Sequence, residues 1–164
     1  MDTASQKREA EKSIVRLDTK KLMLFGYVVN DEFQVDIKSS SVIKLYNTIE
    51  YSNQDDQRFS NYFKLRETMM RLLLYLLENA SFGYISNEEI MVNVWENYNL
   101  SSSSTRLTQV MSELKTRLAT IGIDDGFIKA SRGKGYTLQG ALIVPLYSFL
   151  GASNRETEFH CKVK

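Results

Sequence analysis

The sequence predicts an α+β chain: a small antiparallel sheet, then three helices, then a β-hairpin. Three observations predict it. Short β-rich runs separated by turn residues begin at Leu22. Apolar residues then recur at steps of three and four through two long segments, the spacing of a helix buried on one face. Finally a basic, glycine-rich turn, Ser131-Arg132-Gly133-Lys134-Gly135, joins two short apolar runs.

The elements follow in order. Residues 1–21 mix both charge signs with few apolar side chains and read as a flexible N-terminal arm. The runs Leu22, Leu24, Val28, Val29, then Phe33, Val35, Ile37, then Val42, Ile43, Leu45, Tyr46 read as three or four strands. Asn30-Asp31 and Lys38-Ser39-Ser40 separate them as turns. Residues 50–61 are polar and predict an extended loop. Over residues 65–79, Leu65, Met69, Leu72, Leu73, Leu76 and Leu77 share one apolar face, with Met69 and Met70 as core fillers. Asn79 and Gly83 are stop signals.

Ser86-Asn87-Glu88-Glu89 forms a capping box, whose hydroxyl and carboxylate satisfy exposed amides at a helix start. The helix it opens carries Ile90, Val94 and Trp95 and is expected to end near Glu96 or Asn97. Trp95 reads as a core residue, because it follows Val94 at the end of an amphipathic segment. After a polar loop, residues 104–118 predict a third helix. Its stripe is Leu107, Met111, Leu114 and Leu118; its opposite face holds Thr105, Arg106, Thr108, Gln109, Ser112, Glu113, Thr116 and Arg117. Two β segments, 127–130 and 136–138, close on the basic turn as a hairpin.

Three helices followed by a cationic hairpin is the arrangement of a winged helix-turn-helix. A major groove admits one helix, and short polar side chains can read base edges there. A basic hairpin beside it can reach a phosphate or the minor groove. The expected DNA-binding residues are therefore Thr105, Gln109 and Ser112 for base or phosphate contact, with Thr108 and Thr116 on the same face. Arg132 and Lys134 stand at the hairpin tip as phosphate partners, and Arg106 and Lys115 are second-rank phosphate candidates. Glu113 either accepts from a cytosine or pairs with Arg117 one turn on.

Charge distribution agrees with this better than net charge does. The chain totals only +1, but from Thr105 to Leu138 six basic residues (Arg106, Lys115, Arg117, Lys129, Arg132, Lys134) face three acidic ones (Glu113, Asp124, Asp125). Other classes are disfavoured. The single Cys161 forms no internal disulfide, and no basic-then-apolar leader opens the sequence, so a cytoplasmic protein is expected. The apolar stretch 141–150 falls far short of the roughly 20 residues a bilayer span needs, so no membrane is expected. One His and one Cys cannot build a zinc site, His160-Cys161 lacks a third catalytic partner, and the glycine turn opens no helix to cradle a phosphate. No enzyme, metal or cofactor is expected.

Residues 65–138 resemble the effector domain of OmpR/PhoB-type bacterial response regulators, in particular the CadC/ToxR-like branch. The resemblance is carried by Leu72-Leu73-Leu74-Tyr75-Leu76-Leu77-Glu78-Asn79, Ile85-Ser86-Asn87-Glu88-Glu89-Ile90, Val94-Trp95, Thr108-Gln109-Val110-Met111-Ser112-Glu113-Leu114 and Arg132-Gly133-Lys134-Gly135-Tyr136. Domains of this family also begin with an antiparallel sheet, which extends the likeness back to Leu22 and makes residues 22–138 the expected DNA-binding domain. The resemblance implies a transcription regulator on double-stranded DNA, with the third helix in the major groove and Arg132–Lys134 as the wing. The loop 96–104 corresponds to the one that in some family members touches RNA polymerase, which makes RNA polymerase a candidate partner. The sequence departs from the family in the polar insert 50–61, in showing no receiver domain before it and in showing no membrane span after it. Control by phosphorylation is accordingly not expected.

Residues 139–164 form a C-terminal extension, apolar and then charged, whose apolar part either closes the domain as a strand or forms a surface for a homodimer. The competing function is a winged-helix protein-interaction module that modulates another regulator without touching DNA. The near-neutral net charge and Glu113 speak for that alternative.

Overall fold

The structure, a computed structural model, describes residues 22–45 and 62–149. The arm over 1–21, the polar insert 50–61 and the His160-Cys161 pair lie outside the described residues.

Four strands precede the helices: Leu22–Val29 (β1), Phe33–Asp36 (β2), Ser41–Lys44 (β3) and Tyr62–Lys64 (β4). Each pairs antiparallel with the next, and their register sets Tyr27 opposite Val35, Val35 opposite Val42 and Val42 opposite Phe63. Opposed residues point to the same face. This row, with Val29 and Phe33, therefore forms the sheet's inner surface; all but Phe63 are buried. The turn residues behave as their chemistry predicts. Asn30 and Asp31 both take positive φ (52° and 56°), and Glu32 N–H donates to the Val29 carbonyl at 3.1 Å. That is the type I′ geometry, which suits a right-twisted hairpin and which Asn and Asp tolerate. In the next turn Ser39 N–H donates to Asp36 Oδ1 at 2.7 Å. That contact, the largest influence on Asp36, holds its carboxyl below its ordinary value despite the opposing effect of burial.

A fifth strand, Ile143–Phe149, joins this sheet beside β1, in the order β4-β3-β2-β1 and then this strand. The sheet is thus larger than the three or four strands expected from the sequence. Pro145 is tolerated there because an edge strand has one row of unpaired backbone groups. The connection is made at Asn30, whose N–H donates to Leu142 O and whose Oδ1 accepts from Leu142 N–H, both at 2.8 Å. Phe25–Leu146 form one compact unit.

Three helices make the core: Glu67–Asn79 (α1), Asn87–Val94 (α2) and Ser104–Ala119 (α3). Met69, Leu72, Leu73 and Leu76 of α1 are essentially inaccessible, as are Ile90 and Val94 of α2 and Leu107 and Leu114 of α3. The capping box works through its hydroxyl: Ser86 Oγ accepts from Glu89 N–H at 3.1 Å. Ser103 caps α3 in the same way through Arg106 N–H. Helix α2 stops at Val94, two residues earlier than the sequence suggested. Trp95 caps it, buried in the core, and a single 3-10 turn over Glu96–Tyr98 carries the chain to Asn99, which takes a left-handed φ of 57°. Among the described residues no acceptor meets the buried Trp95 Nε1. No helix among them is long and apolar enough to cross a membrane, and no group of His, Cys, Asp or Glu is placed to hold a metal.

After a short 3-10 turn, Ile128–Ser131 (β5) and Gly135–Leu138 (β6) pair as a separate hairpin. Its base is fastened twice. Ile85 and Tyr136 exchange backbone hydrogen bonds of 2.8 and 2.9 Å just before α2. The Ala80 carbonyl at the end of α1 accepts from Leu138 N–H (3.0 Å) and Thr137 Oγ1 (2.9 Å).

Candidate nucleic-acid interface

Helix α3 divides cleanly by period. Leu107, Val110, Met111, Leu114 and Leu118 are buried against the other helices. At 100° per residue, Thr105, Gln109, Ser112 and Thr116 then fall on one line along the opposite side, and all four are exposed. This line is polar and uncharged. Thr116 Oγ1 turns back to the Ser112 carbonyl at 3.0 Å, whereas among the described residues nothing engages the side chains of Thr105, Gln109 or Ser112. They can meet a ligand without first breaking an internal bond.

The flanks of the line differ. On one lie Thr108, bonded to the Ser104 carbonyl at 2.9 Å, and Lys115. Lys115 is half-buried and turned towards Asp125, 3.9 Å away, so it stands apart from the exposed line. On the other lie Arg106, which reaches back to the Ser101 carbonyl at 3.3 Å, and the pair Glu113 and Arg117. Glu113 does take the intrahelical partner considered from sequence, accepting from Arg117 Nε at 3.4 Å. It also accepts from Arg66, at the start of α1. That second partner is 47 residues away in the chain and is invisible to any local pattern.

The hairpin presents its cations outward. Arg132 and Lys134 are exposed at the tip, and Lys134 Nζ lies 5.7 Å from the ring centre of Tyr84, a cation–π contact that steadies it. The tip demands glycine at two positions. Gly133 has φ 72° and Gly135 φ 100°, and a Cβ on Gly135 would lie 1.9 Å from the Ile85 carbonyl oxygen. Close approach of β6 to the chain before α2 is what fixes the hairpin beside the helices. Tyr136 sits at this junction, and burial raises its phenol pKa, so it stays neutral. A cleft of about 370 Å³ separates the tip from the start of α2, with Ser86, Asn87 and Glu88 on one wall and Arg132, Gly133 and Lys134 on the other.

The loop between α2 and α3 is held from both ends. Ser102 Oγ donates to Glu96 Oε1 at 2.5 Å. Arg71 of α1 donates to the Val94 carbonyl at 3.2 Å and stacks on the Tyr98 ring at 3.9 Å.

Residues 60–138 match the family model described as "Transcriptional regulatory protein, C terminal". Among solved structures, the chain is similar to the DNA-binding domain of E. coli CadC. The TM-score is 0.54 at 20% identity, covering 73% of this chain and 96% of that one. The DNA-binding domain of the response regulator AdeR, solved in complex with an intercistronic region, is matched with TM-score 0.48 at 17% identity, over 65% of this chain and 93% of that one. No curated protein matches. Sheet, three helices and basic hairpin in this order are a winged helix-turn-helix. Residues 60–138 are thus similar to the C-terminal domains of transcriptional regulatory proteins, and they carry the three helices and the hairpin of the winged helix-turn-helix fold.

Proposed function

We propose that this domain regulates transcription by seating α3 in the major groove of double-stranded DNA, with the hairpin as a wing on the adjacent backbone or minor groove. One observation carries the reading: a helix wholly buried on one side presents an uncharged polar line on the other, next to a cationic hairpin fastened to the same core. Thr105, Gln109 and Ser112 face base edges, with Thr108 and Thr116 bordering them. Amide and hydroxyl groups suit this role because they donate and accept in the pattern that the groove displays. Arg132 and Lys134 take phosphates, which position the domain without reading sequence. Arg106 and Lys115 serve at the rim, Lys115 after leaving Asp125.

Glu113 no longer argues for a protein-only module, since two arginines neutralise its charge. The constrained loop 96–104 is the surface offered to RNA polymerase, and pairing of two copies would double the half-sites read. Function in the cytoplasm follows from the DNA target.

Fluorescence anisotropy with the promoter next to the protein's own coding region, against a random duplex, tests the reading. Binding is expected to weaken steeply with salt. Arg132→Ala with Lys134→Ala should weaken both duplexes alike. Gln109→Ala should lose about 1–3 kcal/mol of discrimination at one or two base pairs. No binding of the promoter at moderate salt would overturn it.

A further inference from the structure

We infer that Arg66 and Arg117, gathered on Glu113, form a clamp for one DNA backbone phosphate on the α1 side of α3; this rests on the DNA-binding reading above.

The first observation is a misfit. Arg66 occupies the N-cap of α1, makes no capping hydrogen bond there, and stands where Ser, Thr, Asp or Asn is favoured. The caps of α2 and α3 are both serines that do bond their helices. Arg66 forgoes that stabilisation, and its guanidinium crosses to Glu113 of α3 instead. The second observation is the charge count. Two guanidiniums share one carboxylate, Arg66 on Oε2 and Arg117 on Oε1, which leaves the cluster one positive charge in excess.

The third is what remains unused. A guanidinium has five N–H donors; here Arg66 commits Nη2 and Arg117 commits Nε. With side chains 59% and 46% exposed, both still present donors to solvent. Their remaining fork geometry matches phosphate oxygens. Position completes the case. Glu113 and Arg117 flank the line Thr105, Gln109, Ser112 and Thr116, so a strand bordering the groove that α3 fills would run past them. Lys64, also exposed, precedes Arg66 by two residues. Glu113 does not touch the phosphate: it is a positioning residue that holds two mobile side chains side by side.

Arg66→Ser is the informative variant, because it removes the guanidinium while restoring a good N-cap. Its affinity is measured by anisotropy on the promoter duplex and on a scrambled duplex between roughly 50 and 200 mM salt. The expected result is equal weakening on both duplexes and a slope of log K against log salt shallower by about 0.9. The deficit against wild type therefore shrinks about 3-fold across that range. Tm should stay level or rise, and Arg66→Lys, which keeps charge but loses the fork, should fall between.

An unchanged salt slope overturns the clamp. If Tm also drops, Arg66 is only a staple between α1 and α3. In either case continued loss of binding in the Arg132→Ala, Lys134→Ala variant leaves DNA binding itself standing. A wild-type protein that binds neither duplex overturns both.

Discussion

Replacing Gly135 by Ala should detach the wing from the helices, and the cost can be built from the structure. Two effects add. Gly135 has φ 100°, and a left-handed backbone costs a residue bearing a Cβ about 1–2 kcal/mol. The new Cβ would also lie 1.9 Å from the Ile85 carbonyl oxygen and 2.7 Å from its carbon. Non-bonded atoms rest at about 3.5 Å or more, and the obstructing atoms are backbone that cannot swing aside. The strand must therefore withdraw, which breaks both hydrogen bonds between Ile85 and Tyr136 at about 1 kcal/mol each. The sum is about 3–4 kcal/mol, a large share of the stability of a domain this size. Gly133→Ala is the matched control. Its φ of 72° carries the same backbone penalty, but nothing lies within 4 Å of the added methyl. It should cost only about 1–2 kcal/mol. Urea unfolding followed by circular dichroism measures both. If the two variants agree within about 0.5 kcal/mol, the larger value cannot arise from close approach and the account of how the wing is anchored is wrong.

Other changes test the remaining supports. Ser86→Ala and Ser103→Ala each remove a hydroxyl that accepts from the first turn of its helix and should cost about 1 kcal/mol in urea unfolding; Ser→Gly at the same sites should cost only a few tenths. Asp36→Asn probes the β2–β3 turn as a function of pH. Because the folded state lowers this carboxyl's pKa, its stabilisation is complete above the ordinary Asp range and is lost as pH falls through the lowered value. A gap between wild type and variant of about 0.5 kcal/mol at pH 7 should therefore close in acid, and a gap independent of pH would show that the charge contributes nothing.

What the sequence revealed tracks how local each determinant is. The α3 stripe was legible because Leu107, Met111, Leu114 and Leu118 repeat with the helix itself, and the exposed line of Thr105, Gln109 and Ser112 follows from the same period. The hairpin was legible from Gly133 and Gly135, whose positive φ few other residues accept. By contrast, β4 is three residues long beside a polar insert, and only pairing with β3 defines it. The apolar run after Ala141 was visible as something needing cover, but its partner β1 lies more than a hundred residues earlier. The end of α2 was misplaced because Trp95 turns inward and Tyr98 N–H bonds its carbonyl, converting the last turn to 3-10 form. Arg66 left one local trace, a long cation at a cap position. Its partner Glu113 could be found only in three dimensions.

The junction of Asn30 with Leu142 also bears on how fast the domain forms and falls apart. The helices and the hairpins β1–β2 and β5–β6 close over short stretches of chain, whereas this seam closes a loop of 112 residues and should form late. Contacts absent from the folding transition state govern unfolding alone. Asn30→Gly, which keeps the positive φ of the turn but removes the Oδ1 acceptor, should therefore leave the refolding rate unchanged while hastening unfolding, which makes one turn asparagine a determinant of how long the folded domain lasts.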